Sequence, residues 1–228
     1  MRFTGISVVA VMLSMLATVF VSGSAQAGGP NEDVLTSALD GQAKKKTKTM
    51  TSGDLDRASA TMSRLGNHVV AELSAQNLKR EERVEFYRDL VSGNLDTQVL
   101  ARFMLGNNWQ GLTGPQRTKY LAAFTDYLVH TYAIRLGGIE VNKFEIQSST
   151  FSGKAKQDIL VNSKISSQRS KPIHAVWRLR PRGGKFVILD LVVEGVSMAL
   201  TTRQEFSAIL ARTGNVDGLI KTLKERMA

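Results

Sequence analysis

Few residues in this chain have the types and spacing that catalysis requires. The three histidines, His68, His130 and His174, are far apart in the sequence, and the chain contains no cysteine. A hydrolytic nucleophile needs a serine or a cysteine beside a base, and the chain has no Gly-x-Ser-x-Gly motif. No two histidines have the spacing of metal ligands, so we predict no metal site and no cofactor.

Two other groups of chemically active residues have simpler explanations. Asp190 and Glu194 are four residues apart near the end of a predicted strand, and they could act as an acid and a base. A salt bridge or a hydrogen bond at the edge of a sheet is the commoner role of such a pair. The glycine-containing segment Pro181–Lys185 lacks the Walker A spacing and is typical of a hairpin turn. We therefore predict that the protein is not an enzyme.

Composition indicates one basic globular domain. The chain has 228 residues, of which 43% are hydrophobic, and this is enough for a single sizeable core. The 30 lysines and arginines exceed the 20 aspartates and glutamates, which gives a formal net charge of +10. Such a charge suits a nucleic acid, an anionic lipid or an acidic protein partner, and the charge alone does not choose among them.

The N-terminal residues predict export. Arg2 is followed by a mainly apolar stretch from Ile6 to Val21 and by the small-x-small site Ala25-Gln26-Ala27. This order is typical of a secretory signal peptide at residues 1–27, cleaved after Ala27. An uncleaved membrane anchor is the alternative, but the apolar stretch is short for a membrane span. We expect a periplasmic protein, and export argues against nucleic acid as a partner.

Residues 28–53 are expected to form a flexible basic tail. The segment is polar and contains Lys44-Lys45-Lys46-Thr47-Lys48, and it offers few apolar side chains to offset the entropy of ordering. The lysine cluster is consistent with a solvated linker. It is also consistent with attraction to an anionic membrane surface.

Residues 54–228 are expected to form a single domain that changes from helices to strands part-way along. Apolar residues recur at helical spacing up to Leu136, and Thr113 with Gln116 fits a capping box before the clearest helix. Short connections make the predicted strands antiparallel, so we expect an α+β fold with helices on one face of a curved four-stranded antiparallel sheet. The predicted strands are 140–151, 155–167, 172–180 and 185–193, and helices follow at about 202–212 and 216–227.

The stretch Leu189–Leu200 joins the last predicted strand to a helix. The strand has aliphatic residues on both faces up to Val193, and Glu194 and Gly195 then interrupt it before apolar residues resume. This pattern is consistent with an ordinary strand-to-helix corner. It is also consistent with the mouth of an apolar cavity.

The same stretch resembles a known family. Val193–Met198, reading Val-Glu-Gly-Val-Ser-Met, is similar to the signature of the MlaC family, the toluene-tolerance auxiliary proteins. The resemblance implies a cone-like fold of the NTF2 type that encloses an apolar cavity, and carriage of phospholipid through the periplasm to maintain outer-membrane lipid asymmetry. The partners that it implies are an outer-membrane lipoprotein complex and an inner-membrane ABC transporter with its substrate-binding ring. The resemblance spans roughly residues 96–223, with further matches at Leu105-Gly106, Trp109, Gln116-Arg117, Phe124, Tyr132, Thr201–Phe206 and Gly214–Leu223.

The predicted cavity walls combine the apolar stripe of the helices with one face of the sheet. Aromatic and aliphatic residues at these positions are also consistent with an ordinary core. An unpaired phosphate is costly to bury, so the headgroup is expected near solvent, with Arg178, Arg180, Ser197 and Arg203 as candidate contacts. The candidate wall residues are Phe103, Trp109, Phe124, Tyr127, Tyr132, Val161, Trp177, Leu179, Leu191, Val193, Val196 and Met198.

Three other functions remain open from the sequence. A hopanoid-associated member of the same family would share the fold and prefer a rigid polycyclic lipid. A periplasmic binder of small apolar toxicants would need only a small cavity. A structural adaptor without a ligand would have a solid core. The identity of a bound molecule would separate all three from a phospholipid carrier.

Overall fold

A computed structural model describes residues 50–74, 80–136, 141–153, 156–168 and 170–227 of the chain. The predicted signal peptide and the predicted tail up to residue 49 lie outside these ranges. Of the helices in the described ranges, none has both the length and the hydropathy that crossing a membrane requires.

Six α-helices and a short 3₁₀ helix form the helical part of the described chain. They are α1 (Ser52–Ser74), α2 (Arg80–Asn94), α3 (Thr97–Leu105), the 3₁₀ helix (Gly106–Trp109), α4 (Gly114–Leu136), α5 (Met198–Thr213) and α6 (Val216–Glu225). The predicted capping box is present at the start of α4. The Thr113 N–H donates to Oε1 of Gln116 at 3.1 Å, and the Gln116 N–H donates to Oγ1 of Thr113 at 3.4 Å.

The strands of the described sheet are antiparallel and follow chain order. They are β1 (Lys143–Ser152), β2 (Asp158–Ser166), β3 (Ile173–Arg182), β4 (Lys185–Val193) and β5 (Val196–Ser197). The predicted α+β class and antiparallel sheet are confirmed. The sheet has five strands instead of four, because two residues beyond β4 turn back and pair with it. Register shifts between Ile146 and Ser148 and between Arg178 and Leu179 bend the sheet, as β-bulges do.

Two buried apolar clusters form the core of the described chain. The helical cluster joins α2–α6 with Val187 and Leu189 of β4. The sheet cluster joins α1 with β1–β4, and it includes Met62 and Ile159. Strand β4 contributes to both clusters because apolar side chains occupy both of its faces. The two clusters define a helical layer and a sheet layer.

A glycine in α1 lets this helix approach the sheet closely. A β-carbon added at Gly66 would lie 2.2–2.5 Å from three ring atoms of Phe144 in β1. Gly66→Ala is therefore expected to push α1 away from β1 and to lower the free energy of unfolding by about 1–3 kcal/mol. Chemical denaturation measures this loss.

Gly93 provides a matched control for that substitution. It lies in α2, and an added β-carbon would have no neighbour within 4 Å. Alanine has a higher helix propensity than glycine, so Gly93→Ala is expected to leave the free energy of unfolding unchanged or slightly raised. Equal losses in the two variants would contradict the packing role of Gly66.

Candidate functional site

An apolar cavity of about 240 Å³ lies between the helical layer and the sheet layer. Residues from both buried clusters line it, and they come from α1–α5 and from β1–β4. Almost all of the described lining residues are apolar, and Asp190 is the charged exception. The arrangement can remove the hydrocarbon part of a ligand from water.

The cavity occupies one end of the sheet. Antiparallel pairing brings together the start of β1, the end of β2, the start of β3 and the end of β4. At the opposite end, Ile159 and Leu179 pack with Ala58 of α1 and do not line the cavity. The apolar face of the sheet is thus solid core at one end and cavity wall at the other. Lining residues at the cavity end are Phe144, Ile165, Ile173 and Val193.

Two polar side chains in the cavity wall, Trp177 and Tyr87, present no charge to the cavity. The indole N–H of Trp177 donates to the Ser163 hydroxyl at 2.9 Å, and this hydroxyl donates to the Ala175 carbonyl oxygen at 3.3 Å. Trp177 therefore presents a hydrocarbon surface although it carries a polar nitrogen. Burial raises the pKa of Tyr87, another lining residue, to about 12, so its hydroxyl stays neutral.

Asp190 is held by hydrogen bonds from the corner between β4 and α5. Its carboxylate accepts from the Leu191 N–H at 2.8 Å, the Ser197 hydroxyl at 2.7 Å and the Ala199 N–H at 2.9 Å. Burial raises the pKa of Asp190 above its ordinary value, while these hydrogen bonds and the charge of Arg178 oppose the rise. The carboxylate therefore ties the last long strand to the start of α5.

The predicted strand-to-helix corner is a tight turn followed by a capped helix. Glu194 and Gly195 have φ angles of 47° and 83°, so both adopt left-handed conformations between β4 and β5. Helix α5 begins at Met198 and not near residue 202, because the Ser197 hydroxyl accepts a hydrogen bond from its first turn. The corner places Met198 in the cavity wall.

Glu194 fastens this turn to β3. Its Oε1 accepts a hydrogen bond from the His174 N–H at 2.7 Å, and its own N–H donates to the His174 carbonyl oxygen at 3.1 Å. Glu194→Ala is expected to lower the free energy of unfolding by about 1 kcal/mol, because the side-chain hydrogen bond is lost. Glu194→Gln keeps a side-chain acceptor at the same backbone conformation and is expected to lose less. Urea denaturation of both variants tests this, and equal losses would contradict the contribution of the side-chain hydrogen bond.

The acidic pair considered from the sequence therefore has structural partners. The Asp190 carboxylate accepts a hydrogen bond from the Ala199 N–H at the start of α5, and the Glu194 carboxylate accepts one from the His174 N–H in β3. Within the described ranges, no group of three or more histidine, aspartate or glutamate side chains is placed to hold a metal ion. The chemistry that this site offers is apolar burial.

Six of the predicted wall residues line the cavity. They approach it from three directions: the middle of the longest helix in the helical layer, the cavity end of the sheet, and the start of α5. Periodicity indicates an inward-facing side for each element, and contact of these residues with a ligand stays a prediction. They are Phe124, Tyr132, Trp177, Leu191, Val193 and Met198.

The other six predicted wall residues lie outside the lining. Those from the helical half belong to the helical cluster, and two from the sheet belong to the closed end of the sheet cluster. Val196 is half-buried on β5, where it pairs with Val193. A role of these residues in ligand binding stays a prediction. The five in the clusters are Phe103, Trp109, Tyr127, Val161 and Leu179.

The candidate headgroup residues do not line the cavity. The fully buried carboxylate of Asp158 binds Nη1 of Arg178 at 3.1 Å and Nε of Arg180 at 2.6 Å. Both guanidinium groups thereby offset the cost of a buried negative charge. Ser197 caps α5, and Arg203 lies over an aromatic ring of α3. Contact of these residues with a headgroup stays a prediction.

The wall contributed by α1 and α2 was not predicted. Leu65, Val69 and Leu73 of α1 line the cavity, as do Leu90 and Val91 of α2. Helical spacing marks most of these positions as buried, but it does not show which other element each helix faces. That information depends on how α1 packs across β1.

Comparison with known proteins identifies the family. The family model described as MlaC protein matches residues 63–225. The chain belongs to the MlaC family. This confirms the resemblance that the sequence shows at Val193–Met198.

Two similar proteins extend the comparison. An intermembrane phospholipid transport system binding protein MlaC from Haemophilus influenzae is 21% identical over 173 residues, covering 72% of this chain and 79% of the relative. A phospholipid-binding protein from Ralstonia solanacearum, solved in complex with a phospholipid, has a TM-score of 0.63 at 20% identity. The structural match covers 75% of this chain and 96% of that chain. This MlaC-family chain therefore shares its fold with that protein.

Proposed function

We propose that the protein binds a phospholipid and carries it through the periplasm. The observation that carries this proposal is the apolar cavity between the helical layer and the sheet layer. Membership of the MlaC family supports it. The names of the Haemophilus influenzae and Ralstonia solanacearum proteins support phospholipid as the ligand.

Burial of acyl chains provides the favourable free energy of binding. Each methylene removed from water contributes about 0.8 kcal/mol, so two acyl chains of ordinary length contribute on the order of 20 kcal/mol before the costs of ordering. An unpaired phosphate is costly to bury, so the headgroup stays in solvent at the cavity end of the sheet. A lipid bound in this way leaves slowly unless a partner opens the cavity.

The cavity must widen to accept two acyl chains. Its volume of about 240 Å³ is below the roughly 300–1,000 Å³ of ordinary ligand sites. The helical and sheet layers form separate clusters, and β4 makes the main contacts between them. Separation of the layers away from β4 enlarges the cavity without breaking either cluster.

A second candidate function is the binding of one small apolar compound. The cavity volume favours it, because the space in the structure fits a ligand smaller than a phospholipid. A hopanoid is a third possible ligand, since its rigid rings would occupy the same apolar space. The molecule that the purified protein carries separates these functions.

The proposed route runs between an outer-membrane lipoprotein complex and an inner-membrane ABC transporter with its substrate-binding ring. The predicted signal peptide at residues 1–27 supports export to the periplasm. Protein loaded with a fluorescent phospholipid is mixed with vesicles that contain the transporter and its ring. The carrier function predicts transfer that depends on the transporter. Equal transfer into vesicles that lack the transporter would contradict the proposed route.

A further inference from the structure

One buried polar group in the cavity wall has no hydrogen-bond partner among the described residues. Tyr87 of α2 is 2% exposed and lines the cavity, and its hydroxyl oxygen is buried without a partner. No other described lining residue has a buried side-chain nitrogen or oxygen in this state. An unsatisfied buried hydroxyl is unfavourable, because it has given up its hydrogen bonds to water. A ligand atom that accepts a hydrogen bond from Tyr87 would remove this cost.

Four other polar side chains in the described wall are hydrogen-bonded within the protein. The Asn94 amide donates to a backbone carbonyl oxygen of α2 at 3.0 Å, and the Thr202 hydroxyl donates to one of α5 at 2.8 Å. The Trp177 indole and the Asp190 carboxylate also have protein partners. A water molecule is a poor partner for the Tyr87 hydroxyl, since it needs two or more polar contacts and the cavity wall is almost wholly apolar.

Tyr87 lies toward the cavity end of the sheet. Its neighbour Phe86 packs edge-on against the exposed His68 of α1, with ring centroids 5.5 Å apart, and α1 contacts the start of β1 two residues before His68. Leu95, about two helical turns after Tyr87, instead bridges to Ile188, which pairs with the closed end of β3. Tyr87 is therefore on the side where the headgroup of a bound phospholipid is proposed to lie.

We propose that the Tyr87 hydroxyl donates a hydrogen bond to an ester carbonyl oxygen of the bound phospholipid and thereby selects ester-linked lipids. The ester groups join the acyl chains to the glycerol, so a lipid with its headgroup at the cavity end presents them beside the first part of the buried wall. This inference rests on the proposed phospholipid function and assigns a specificity-determining residue within it.

The chemistry of the two groups matches. Burial keeps the Tyr87 hydroxyl a neutral donor, and an ester carbonyl oxygen is a neutral acceptor, so no charge has to leave water when they bind. The lipid phosphate is a worse partner, because taking its charge out of water is costly. A ligand made only of hydrocarbon leaves the hydroxyl unsatisfied.

Competition between an ester lipid and its ether analogue tests this assignment. Lipid-free protein is incubated with vesicles that contain equal amounts of dioleoylphosphatidylcholine and di-O-oleylphosphatidylcholine, which lacks both carbonyl oxygens. Native mass spectrometry then measures the ratio of the two bound lipids. Tyr87→Phe removes the hydroxyl and keeps the ring, so the ester-to-ether ratio is expected to be higher in the unsubstituted protein by about fivefold or more. The same ratio in both proteins would overturn the proposal.

Tyr120 provides a matched control. It is fully buried in α4 and does not line the cavity, and its hydroxyl donates to the Ala101 carbonyl oxygen at 3.1 Å. Tyr120→Phe is therefore expected to lower the Tm and to keep the ester-to-ether ratio of the unsubstituted protein. Tyr87→Phe is expected to keep or raise the Tm of the lipid-free protein, because its hydroxyl has no described partner to lose. Equal losses of Tm in the two variants would overturn the proposal, since the Tyr87 hydroxyl would then have a protein partner.

Total lipid uptake separates this inference from the proposed function. Uptake of both lipids, in a ratio that Tyr87→Phe does not change, would sink selection by Tyr87 and leave phospholipid carriage standing. Uptake of neither lipid by the unsubstituted protein would sink the proposed function, and this inference would fall with it.

Discussion

Replacement of Ala175 by phenylalanine is expected to give a folded protein that purifies without phospholipid. Ala175 is buried in β3 and lines the cavity, on the same face as Ile173 and Trp177. A phenyl ring at this position occupies the space that acyl chains need, and it meets empty volume instead of packed atoms. The free energy of unfolding is therefore expected to change by less than about 1 kcal/mol. Native mass spectrometry measures bound lipid, and chemical denaturation measures stability.

Ala58→Phe adds the same ring at the closed end of the sheet. Ala58 is fully buried in α1, belongs to the sheet cluster and does not line the cavity. Overpacking at this position is expected to cost about 1–3 kcal/mol of stability. Two outcomes would contradict the assignment of Ala175 to a lipid-binding cavity. In one, Ala175→Phe lowers the free energy of unfolding as much as Ala58→Phe does. In the other, the Ala175→Phe protein carries a full complement of lipid.

Replacement of Asp190 by alanine is expected to lower the free energy of unfolding by about 3 kcal/mol or more. The change leaves the Ser197 hydroxyl and the Ala199 N–H without their acceptor at the start of α5, and it removes a carboxylate near Arg178. Chemical denaturation measures the loss. Asp190→Asn keeps the size and one oxygen of the side chain, so it is expected to lose less. A loss of less than about 1 kcal/mol in Asp190→Ala would contradict the role of these hydrogen bonds.

The contribution of Asp190 to stability depends on pH. Burial raises the pKa of this carboxyl, so the folded protein holds the proton more tightly than the unfolded chain does. The resulting stability is complete below the ordinary aspartate pKa and is lost as the pH rises through the raised pKa. The difference in unfolding free energy between the unsubstituted protein and Asp190→Ala is therefore expected to shrink as the pH rises through this window. A difference that grows with pH would contradict the direction of the shift.

Local patterns were sufficient to predict most elements of the fold. The predicted strand 185–193 coincides with β4, and the capping box at Thr113 starts α4 as expected. Both follow from side chains close in sequence, which burial or capping constrains directly. Strand β5 and the early start of α5 were missed because they depend on Asp190, whose carboxylate reaches across the turn to Ala199. The periodicity of the sequence does not reveal such a contact.

The cavity was harder to predict than the elements around it. Val161 and Trp177 are paired on β2 and β3, so both point to the same face of the sheet, yet only Trp177 lines the cavity. The difference arises because α1 packs over part of this face and leaves the rest open. Likewise, nothing in the sequence around Arg178 and Arg180 indicates that both bind the buried carboxylate of Asp158. Both the extent of the cavity wall and the partner of the two arginines depend on tertiary packing. Neither can be predicted from a single segment of the sequence.

The identity of the molecule that copurifies with the protein tests the central claim most directly. The purified protein is extracted with organic solvent, and mass spectrometry identifies and quantifies the extract against the amount of protein. A carrier with one apolar cavity is expected to yield a glycerophospholipid with two acyl chains, at about one molecule per protein chain. A hopanoid, a small apolar compound or no lipid at all in the extract would contradict the claim.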